Sequence, residues 1–349
     1  MALERYLRQG GEWLNGTGPH ANIVISSRIR LARNLEQYKF ISRMTEENRL
    51  ALLGYVKDNF DANTEASDFE FIDIHELDPT DRQFLLERHL ISKEMEENSG
   101  PRGVVVNTSE RISIMINEED HIRTQVLLSG LQLDKCWEIA NQMDDNLETD
   151  MHYSFSPYFG YLTACPTNVG TGMRVSVMFH LPALVITQQL SKIFQAISKI
   201  GLAIRGFYGE GTESLGDFYQ ISNQVTLGKS EKEIIHNLMG VIPQIIRYEE
   251  KARETLLNNS IKILEDRVWR AYALLYNARI ISSKEAMALL SNIRLGMDVG
   301  ILSMLDTRLI NEIFIFSQPA HLQKLFNKTL SSEERDIKRA DYIRKRLNP

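Results

Sequence analysis

Cysteine is nearly absent: Cys136 and Cys165 are the only two in 349 residues. That number excludes a disulfide framework and a multi-cysteine zinc cluster, and no metal site built from protein ligands is expected. The segment from Met1 to Gly10 is polar and mixed in charge, without the apolar core of a signal peptide. No apolar run is long enough to span a bilayer. Repeats and low-complexity tracts are missing. So are a Gly-x-x-x-x-Gly-Lys phosphate loop and the His-Arg-Asp run of the common protein kinases. Positive charge is not in excess. The net charge of -6 argues against a nucleic-acid binder, whose affinity rests on neutralising phosphates with Lys and Arg. The expectation is a cytoplasmic protein with no membrane and no direct nucleic-acid contact, in which Cys165 stays a thiol.

What is present suits a soluble globular chain. Hydrophobic residues make up 43% and charged residues 25%, and the length allows one or two domains. Short strand-like runs alternate with helical ones over the first two-thirds. Ala21 to Ser26, Gly103 to Thr108, Arg111 to Asn117, Arg174 to His180, Gly201 to Phe207 and Asp217 to Gln224 read as strands. Glu46 to Phe60 and Pro79 to Leu90 read as helices. In Arg111 to Asn117, Ile112, Ile114 and Ile116 share one face, and Ser113, Met115 and Asn117 share the other. Such alternation predicts an antiparallel sheet with one face in the core and the other open. On the same logic Val175, Val177 and Phe179 point to the core, and Arg174, Ser176, Met178 and His180 face a cleft. The Gly-rich stretch from Gly206 to Gly216 reads as a loop. After Ser230 strand signals vanish, and helices are predicted over Glu231 to Asn258, Ile261 to Ala278, Ser283 to Leu295, Gly300 to Phe316 and Ser331 to Leu347. The last opens on Ser331-Ser332-Glu333-Glu334, a capping-box pattern. The domains are accordingly read as 1–254, mixed and catalytic, and 255–349, all-helical.

Four strings carry the chemistry. They are Ser26-Ser27-Arg28-Ile29-Arg30, the acidic run Asn117 to Arg123, Cys165 to Arg174, and Arg205 to Glu213. Phosphoryl transfer is chiefly positioning and charge neutralisation. Arginine suits it, because its guanidinium stays charged and forks onto two oxygens. Arg28 and Arg30, two apart on a strand, leave the same face. Arg123, Arg174 and Arg205 come from separate elements, as a clamp requires. Glu119 and then Glu210 are the leading acids for a cationic acceptor. A protonated guanidinium, with a pKa above ~12, is no nucleophile, so a carboxylate must take a proton as the P–N bond forms. Cys165, in a turn with Gly170 and Gly172, is placed to tune that acceptor's charge. In the last helix Arg335 and Arg339 stand four apart and could pinch one anion.

In this order, and across most of residues 20 to 230, these strings resemble the phosphagen kinases, the creatine and arginine kinases. The resemblance implies an α+β fold, a glutamine-synthetase-like catalytic domain with an antiparallel sheet flanked by helices, followed here by the helical C-terminal domain. It implies ATP with Mg2+ as the phosphoryl donor. Ser26, Ser27, Arg28, Ile29, Arg30, His89, Arg123, Arg174, Val175, Ser176, Val177, Met178, Arg205, Gly206, Phe207, Tyr208 and Gly209 would then hold the nucleotide. Glu119 and Glu210 would hold the guanidino group, with Glu119 the first choice as base, and Cys165 would be the active-site thiol. Met178 stands where the family carries a further histidine. Creatine and arginine kinases also carry a helical domain ahead of the catalytic one, and here the Ser26 string comes almost at the start. The acceptor side should therefore be open enough for an arginine still in a polypeptide.

That architecture is similar to the bacterial branch of the family that acts on protein arginine. Its Arg-Asp-x-x-Arg-Ala signature matches Arg335-Asp336-Ile337-Lys338-Arg339-Ala340, implying an allosteric phosphoarginine pocket on a dimerising domain. The implied partners are protein substrates including a heat-shock repressor, an activator protein, a Clp ATPase and protease, and a second copy of the chain. Two other readings remain: a kinase for a small free guanidino compound, and a non-catalytic reader of phosphoarginine.

Overall fold

The computed structural model describes residues 3–8, 10–62, 68–206 and 215–348. The strands are β1 (Val24–Arg33), β2 (Phe69–Asp73), β3 (Gly103–Asn107), β4 (Ile112–Ile116), β5 (Ile122–Ser129), β6 (Phe155–Ser156), β7 (Gly160–Tyr161), β8 (Met173–His180), β9 (Leu202–Arg205) and β10 (Phe218–Asn223). The helices are α1 (Glu46–Ala62), α2 (Pro79–Glu87), α3 (Lys93–Glu97), α4 (Leu133–Asp150), α5 (Pro182–Ile186), α6 (Leu190–Lys199), α7 (Glu231–Asn277), α8 (Ser283–Asp298), α9 (Thr307–Phe316), α10 (Pro319–Leu325) and α11 (Ser332–Leu347). One eight-stranded sheet runs β2-β3-β4-β5-β1-β8-β10-β9. Each of its pairings is antiparallel. β6 and β7 form a separate hairpin. This is the α+β arrangement, sheet first and helices last, that the sequence pattern anticipates.

Register decides what the sheet displays. β1 lies at its centre, with Arg30 opposite Arg174 of β8 and Ala32 opposite Arg123 of β5. On the far side of β8, Met178 faces Gln220 of β10, which in turn faces Arg205 of β9. Side chains on neighbouring strands at matched positions leave the same face. Arg28, Arg30, Arg174 and Arg205 therefore share a face with Ser176, Met178 and Gln220. The opposite face carries Ile29, Val175, Val177 and Ile221, all fully buried.

Three apolar clusters hold this frame. The largest runs from that opposite face through α4 and α5 into α7, α8, α9 and α11, so it is continuous across residue 254. The second packs α2 and the 3–7 segment on β3 and β4, and the third packs α1 and α4 on the same strands. The expectation of an open sheet face at Arg111 to Asn117 is thus corrected. Met115 is buried against Phe84 and Leu85, Ser113 accepts from Gln125 Nε2 at 3.0 Å, and Asn117 donates to the carbonyls of Arg49 and Pro101. Here the sheet is covered on both sides, and alternation records polarity rather than exposure.

The helical half departs from its expected boundaries in one informative place. Glu231–Asn277 is a single run, but Ser260 inside it has φ -145° and ψ 30°. That break falls where the sequence pattern pauses between Asn258 and Ile261. α9 begins only at Thr307, capped by Asp306, and a separate α10 follows it. The capping box at Ser331 is formed as expected, with Glu334 bonding back to Ser331.

Candidate active site

A cleft of about 900 Å³ opens on the arginine face. Arg30, Arg123, Arg174 and Arg205 line it together with Glu119, Cys165, Thr167 and Asn168. Strands β1, β5, β8 and β9 supply the cations, and the turns after β4 and β7 supply the acid and the thiol. Four residues distant in sequence thus bring like charge to one place. That is costly unless an anion fills the gap.

The cations show this cost. Burial, with the charges of Arg28, Arg123 and Arg174, drives Arg30 well below the ordinary guanidinium range. Its Nε is buried with no hydrogen-bond partner among the described residues. Burial and the other arginines also lower Arg28, to about 10. The hydrogen-bond partners of Arg28 among the described residues are neutral: Ser176 Oγ at 3.3 Å and the Gln220 side-chain carbonyl oxygen. Arg174 donates to the Asn223 carbonyl and to Asn168 Oδ1, each at 3.3 Å. Arg28, held by neutral acceptors, beside a buried Arg30 whose Nε is unsatisfied forms a site suited to a polyanion.

Arg123 is different. It donates to both oxygens of Glu118 at 2.5 and 2.6 Å. Burial works against the charge on Glu118, but Arg123 and the Ser92 hydroxyl outweigh it and hold the carboxyl down to about 2. Of the three consecutive acids, Glu118 and Asp120 are buried and Glu119 is half-exposed at the cleft. Burial and the adjacent Asp120 raise the pKa of Glu119 above its ordinary value. Asp120 accepts from Asn34 Nδ2 and from the Ala164 backbone N–H, both at 2.6 Å, and so ties the acidic turn to the Cys165 loop. The Cys165 thiol sits 3.0 Å from the Thr167 hydroxyl.

Beside the cleft lies a narrow recess lined by Trp13, Ser26, Arg28, His89, Ser176, Met178 and Gln220. His89 follows α2 with φ 59°, and its ring meets Trp13 edge-on at 5.1 Å. Burial and the neighbouring Arg28 push His89 down to about 3, so it is neutral at physiological pH. An aromatic pair and a thioether at the mouth of a guanidinium cleft suit a flat heterocycle attached to phosphates.

Several expected nucleotide contacts are corrected. The side chains of Ser27, Ile29, Val175 and Val177 are fully buried and away from the cleft. Ser27 instead donates to the Gly130 carbonyl, and the other three join the core. Strand alternation sends every second residue of these motifs to the wrong face. His180 is also turned away from the cleft, bonding Ser291 of α8 at 2.9 Å. Gly206 is buried after β9. Phe207, Tyr208, Gly209 and Glu210 lie outside the described residues. Sequence reasoning missed Glu118, Trp13, Gln220 and Asn223. For Glu118 a signal existed, since alternation along the acidic run sends Glu118 and Asp120 to the side opposite Glu119.

The C-terminal pair is built differently. Arg339 is 1% exposed. It donates to the carbonyls of Ser317 and Ile281 at 2.8 and 2.9 Å and pairs with Asp336. Arg335 donates to the Leu330 carbonyl at 3.0 Å. Arg335 and Arg339 share no partner among the described residues: Nε and Nη1 of Arg339 close the end of α9 and pair with Asp336, while Arg335 turns to Leu330. Of the rest of that motif, Ile337 is exposed, Ala340 is buried, and Lys338 Nζ lies 4.9 Å from the Phe326 ring centre.

No helix among the described residues is long and apolar enough to cross a membrane. Among them, too, no group of His, Cys, Asp and Glu is arranged to hold a metal ion.

Comparison with known proteins matches this geometry to a family. Residues 52–252 match the catalytic C-terminal domain of the ATP:guanido phosphotransferases. Residues 261–349 match the C-terminal domain of the protein-arginine kinase McsB. The protein-arginine kinase of Symbiobacterium thermophilum is 49% identical over 344 residues, 98% of each chain. That of Halothermothrix orenii is 49% identical over 349 residues, the whole of both chains. Among solved structures, the duplicated taurocyamine kinase of Schistosoma mansoni, with bound components of a transition state analog, superposes with a TM-score of 0.61 at 26% identity. It covers 70% of this chain and 34% of that one. Lombricine kinase shares the fold, with a TM-score of 0.59 at 24% identity over 69% of this chain and 71% of its own. By whole-length identity and by both matched regions, the chain belongs to the protein-arginine kinases, within the ATP:guanido phosphotransferase family.

Proposed function

We propose that the protein transfers the γ-phosphoryl group of MgATP to arginine side chains of other proteins. One observation supports this above the rest: a buried cation with an unsatisfied Nε, Arg30, shares a cleft with a half-exposed acid, Glu119. The first calls for a polyanion and the second for a cation. In this reading Arg28, Arg30, Arg123, Arg174 and Arg205 hold the triphosphate, with the metal arriving on the nucleotide. His89, Trp13 and Met178 border the base.

Glu119 takes the proton from the acceptor guanidinium as its nitrogen attacks the γ-phosphorus. The bond from phosphorus to the bridging oxygen breaks, and ADP leaves with the electron pair. A carboxylate whose pKa is raised is a better base for this step than an ordinary one. Glu118 fixes Arg123 against the phosphates, and Cys165 lies beside the acceptor. Arg335, Asp336 and Arg339, with Ile337, Lys338 and Ala340, form a phosphoarginine-responsive region. There Arg339 would meet the ligand through Nη2, the nitrogen not engaged by Ser317, Ile281 or Asp336. By family resemblance the modification marks proteins for a Clp protease and inactivates a heat-shock repressor, in a dimeric cytoplasmic enzyme.

The test is incubation with labelled ATP and a protein mixture. Label lost in acid and retained in base is the expected result, since a P–N bond is acid-labile. Label that survives acid, or that appears on free arginine as readily as on protein, overturns the proposal.

A further inference from the structure

His89 borders the recess beside the cleft, and its backbone is held in an unfavourable conformation. Its φ is 59°, in the left-handed region that a β-carbon disfavours. A residue other than glycine stays there only where its surroundings hold it. The His89 N–H donates to the Leu86 carbonyl at 2.9 Å, and its own carbonyl accepts from Gln125 Nε2 at 2.7 Å. Trp13, itself buried, meets the imidazole edge-on at 5.1 Å.

One buried ion pair reaches both of these ring residues. Arg88, the residue before His89, is 1% exposed and does not line the recess. Its Nε and Nη2 fork onto the two carboxylate oxygens of Glu110, and its Nη1 donates to the Tyr6 carbonyl at 2.8 Å. Glu110 in turn touches the segment that carries Trp13. A Cβ on Gly11 would lie 3.1 Å from Glu110 Oε2, and the Glu12 N–H donates to the Ser109 carbonyl at 3.2 Å. Glu110 is buried and has a left-handed φ of its own, 57°. Replacing a buried ion pair with apolar side chains of similar volume often costs no stability. What the pair adds is direction, because a guanidinium fork on a carboxylate fixes the orientation of both partners.

We propose that Arg88, through Glu110, is a positioning residue for the nucleotide base. It fixes the left-handed turn at His89 and, across the ion pair, the segment from Gly11 to Trp13. The imidazole is then set in place before ATP arrives. The base meets a preset ring, while the triphosphate meets the arginines of the cleft. Arg88 therefore acts on recognition of the base and not on recognition of the phosphates. The inference deepens the proposed function and rests on its placement of His89 beside the base.

The test is calorimetric titration of the full chain with the magnesium complexes of ATP and of inorganic tripolyphosphate, which has no base. Arg88→Lys keeps the charge and loses the fork. It should weaken ATP binding about tenfold, the size of one well-placed aromatic contact, and leave tripolyphosphate binding unchanged. His89→Ala should do the same. Adding Arg88→Lys to His89→Ala should weaken ATP binding no further, because the two act through one ring. Arg88→Met with Glu110→Leu removes both charges and should reproduce the loss while keeping a cooperative melt. Equal weakening of both ligands, unchanged ATP binding in Arg88→Lys, or additive losses with His89→Ala overturns the inference. So does loss of the cooperative melt in both Arg88 variants, which would assign the pair to the scaffold alone. ATP binding unchanged in His89→Ala would remove the base contact itself. Phosphoryl transfer is tested separately by the labelled-protein assay, so the two readings can fail independently.

Discussion

Two regions of this molecule are rich in arginine, and they treat the charge in opposite ways. Around the C-terminal helices several buried cations have anionic partners, although Arg294 is hydrogen-bonded to Asn311 and the Ala21 carbonyl and its Nε has no partner among the described residues. Arg88 pairs with Glu110, Arg253 with Glu249 and Asp298, and Arg339 with Asp336. Glu87 accepts backbone N–H groups from Ala320 and His321. In the cleft, Arg28 has neutral partners, Arg30 Nε has none among the described residues, and both are driven down by burial and by each other. A paired buried ion holds a scaffold together. An under-satisfied one stores a need for a ligand. Arg294 shares the unpartnered Nε of Arg30 but lies in the packed core, so the open cleft together with the partner list separates the two uses of arginine.

That contrast can be broken most directly at Glu119. Glu119→Gln should reduce phosphoryl transfer about 1,000-fold, with ATP affinity unchanged by nucleotide titration. An equal loss of ATP binding would move Glu119 to the nucleotide side. Next come two arginines taken one from each region. Arg30→Ala should weaken ATP binding about 100-fold and leave the melting temperature intact or raised. Arg339→Ala should lower stability by ~3 kcal/mol, by stranding Asp336 and two carbonyls, with ATP affinity unchanged in denaturant-free titration. If Arg30→Ala is the destabilising change, the distinction between the regions collapses.

A pH series sharpens the same contrast. Because the Glu119 pKa is raised, transfer should climb with pH through a midpoint above the ordinary glutamate value, and Glu119→Gln should remove that limb. His89 has the opposite sign. Its folded-state pKa of about 3 lies below the usual 6.5. As pH falls below 6.5 the unfolded chain takes up the proton first. The stability His89 contributes is thus present above 6.5 and lost between 6.5 and about 3. His89→Gln should flatten melting curves in that window. The smallest effect belongs to surface pairs such as Lys262–Glu265, at 86% and 35% side-chain exposure. Lys262→Ala should change stability by less than ~0.5 kcal/mol.

Much of this was legible in the chain. The alternation in Met173–His180 gave a strand, and the spacing of Arg28 and Arg30 gave a shared face, because a strand repeats every two residues. The Ser331 capping box fixed the start of α11. Legibility failed where a role depends on what lies across space. Ser27 and Val177 sit inside the best motifs yet face the core. Glu118 and Glu119 are chemically identical neighbours, and only the position of Arg123 separates them. Arg339 reads as a helix-surface cation until Ser317 and Ile281 are seen to close over it.

The sequence alone determined the local terms: which segments are strands and helices, which residue types can carry phosphoryl transfer, and to which family the motifs belong. These are short-range properties, set by backbone sterics, side-chain period and intrinsic charge. The tertiary structure decided the rest. Strand order brought Arg30 opposite Arg174, and burial turned ordinary guanidinium groups into strained ones. A bridge between Tyr161 and Gly170 tied a separate hairpin to the loop that carries Cys165. Such effects arise from contacts between residues far apart in the chain, and no local pattern encodes them.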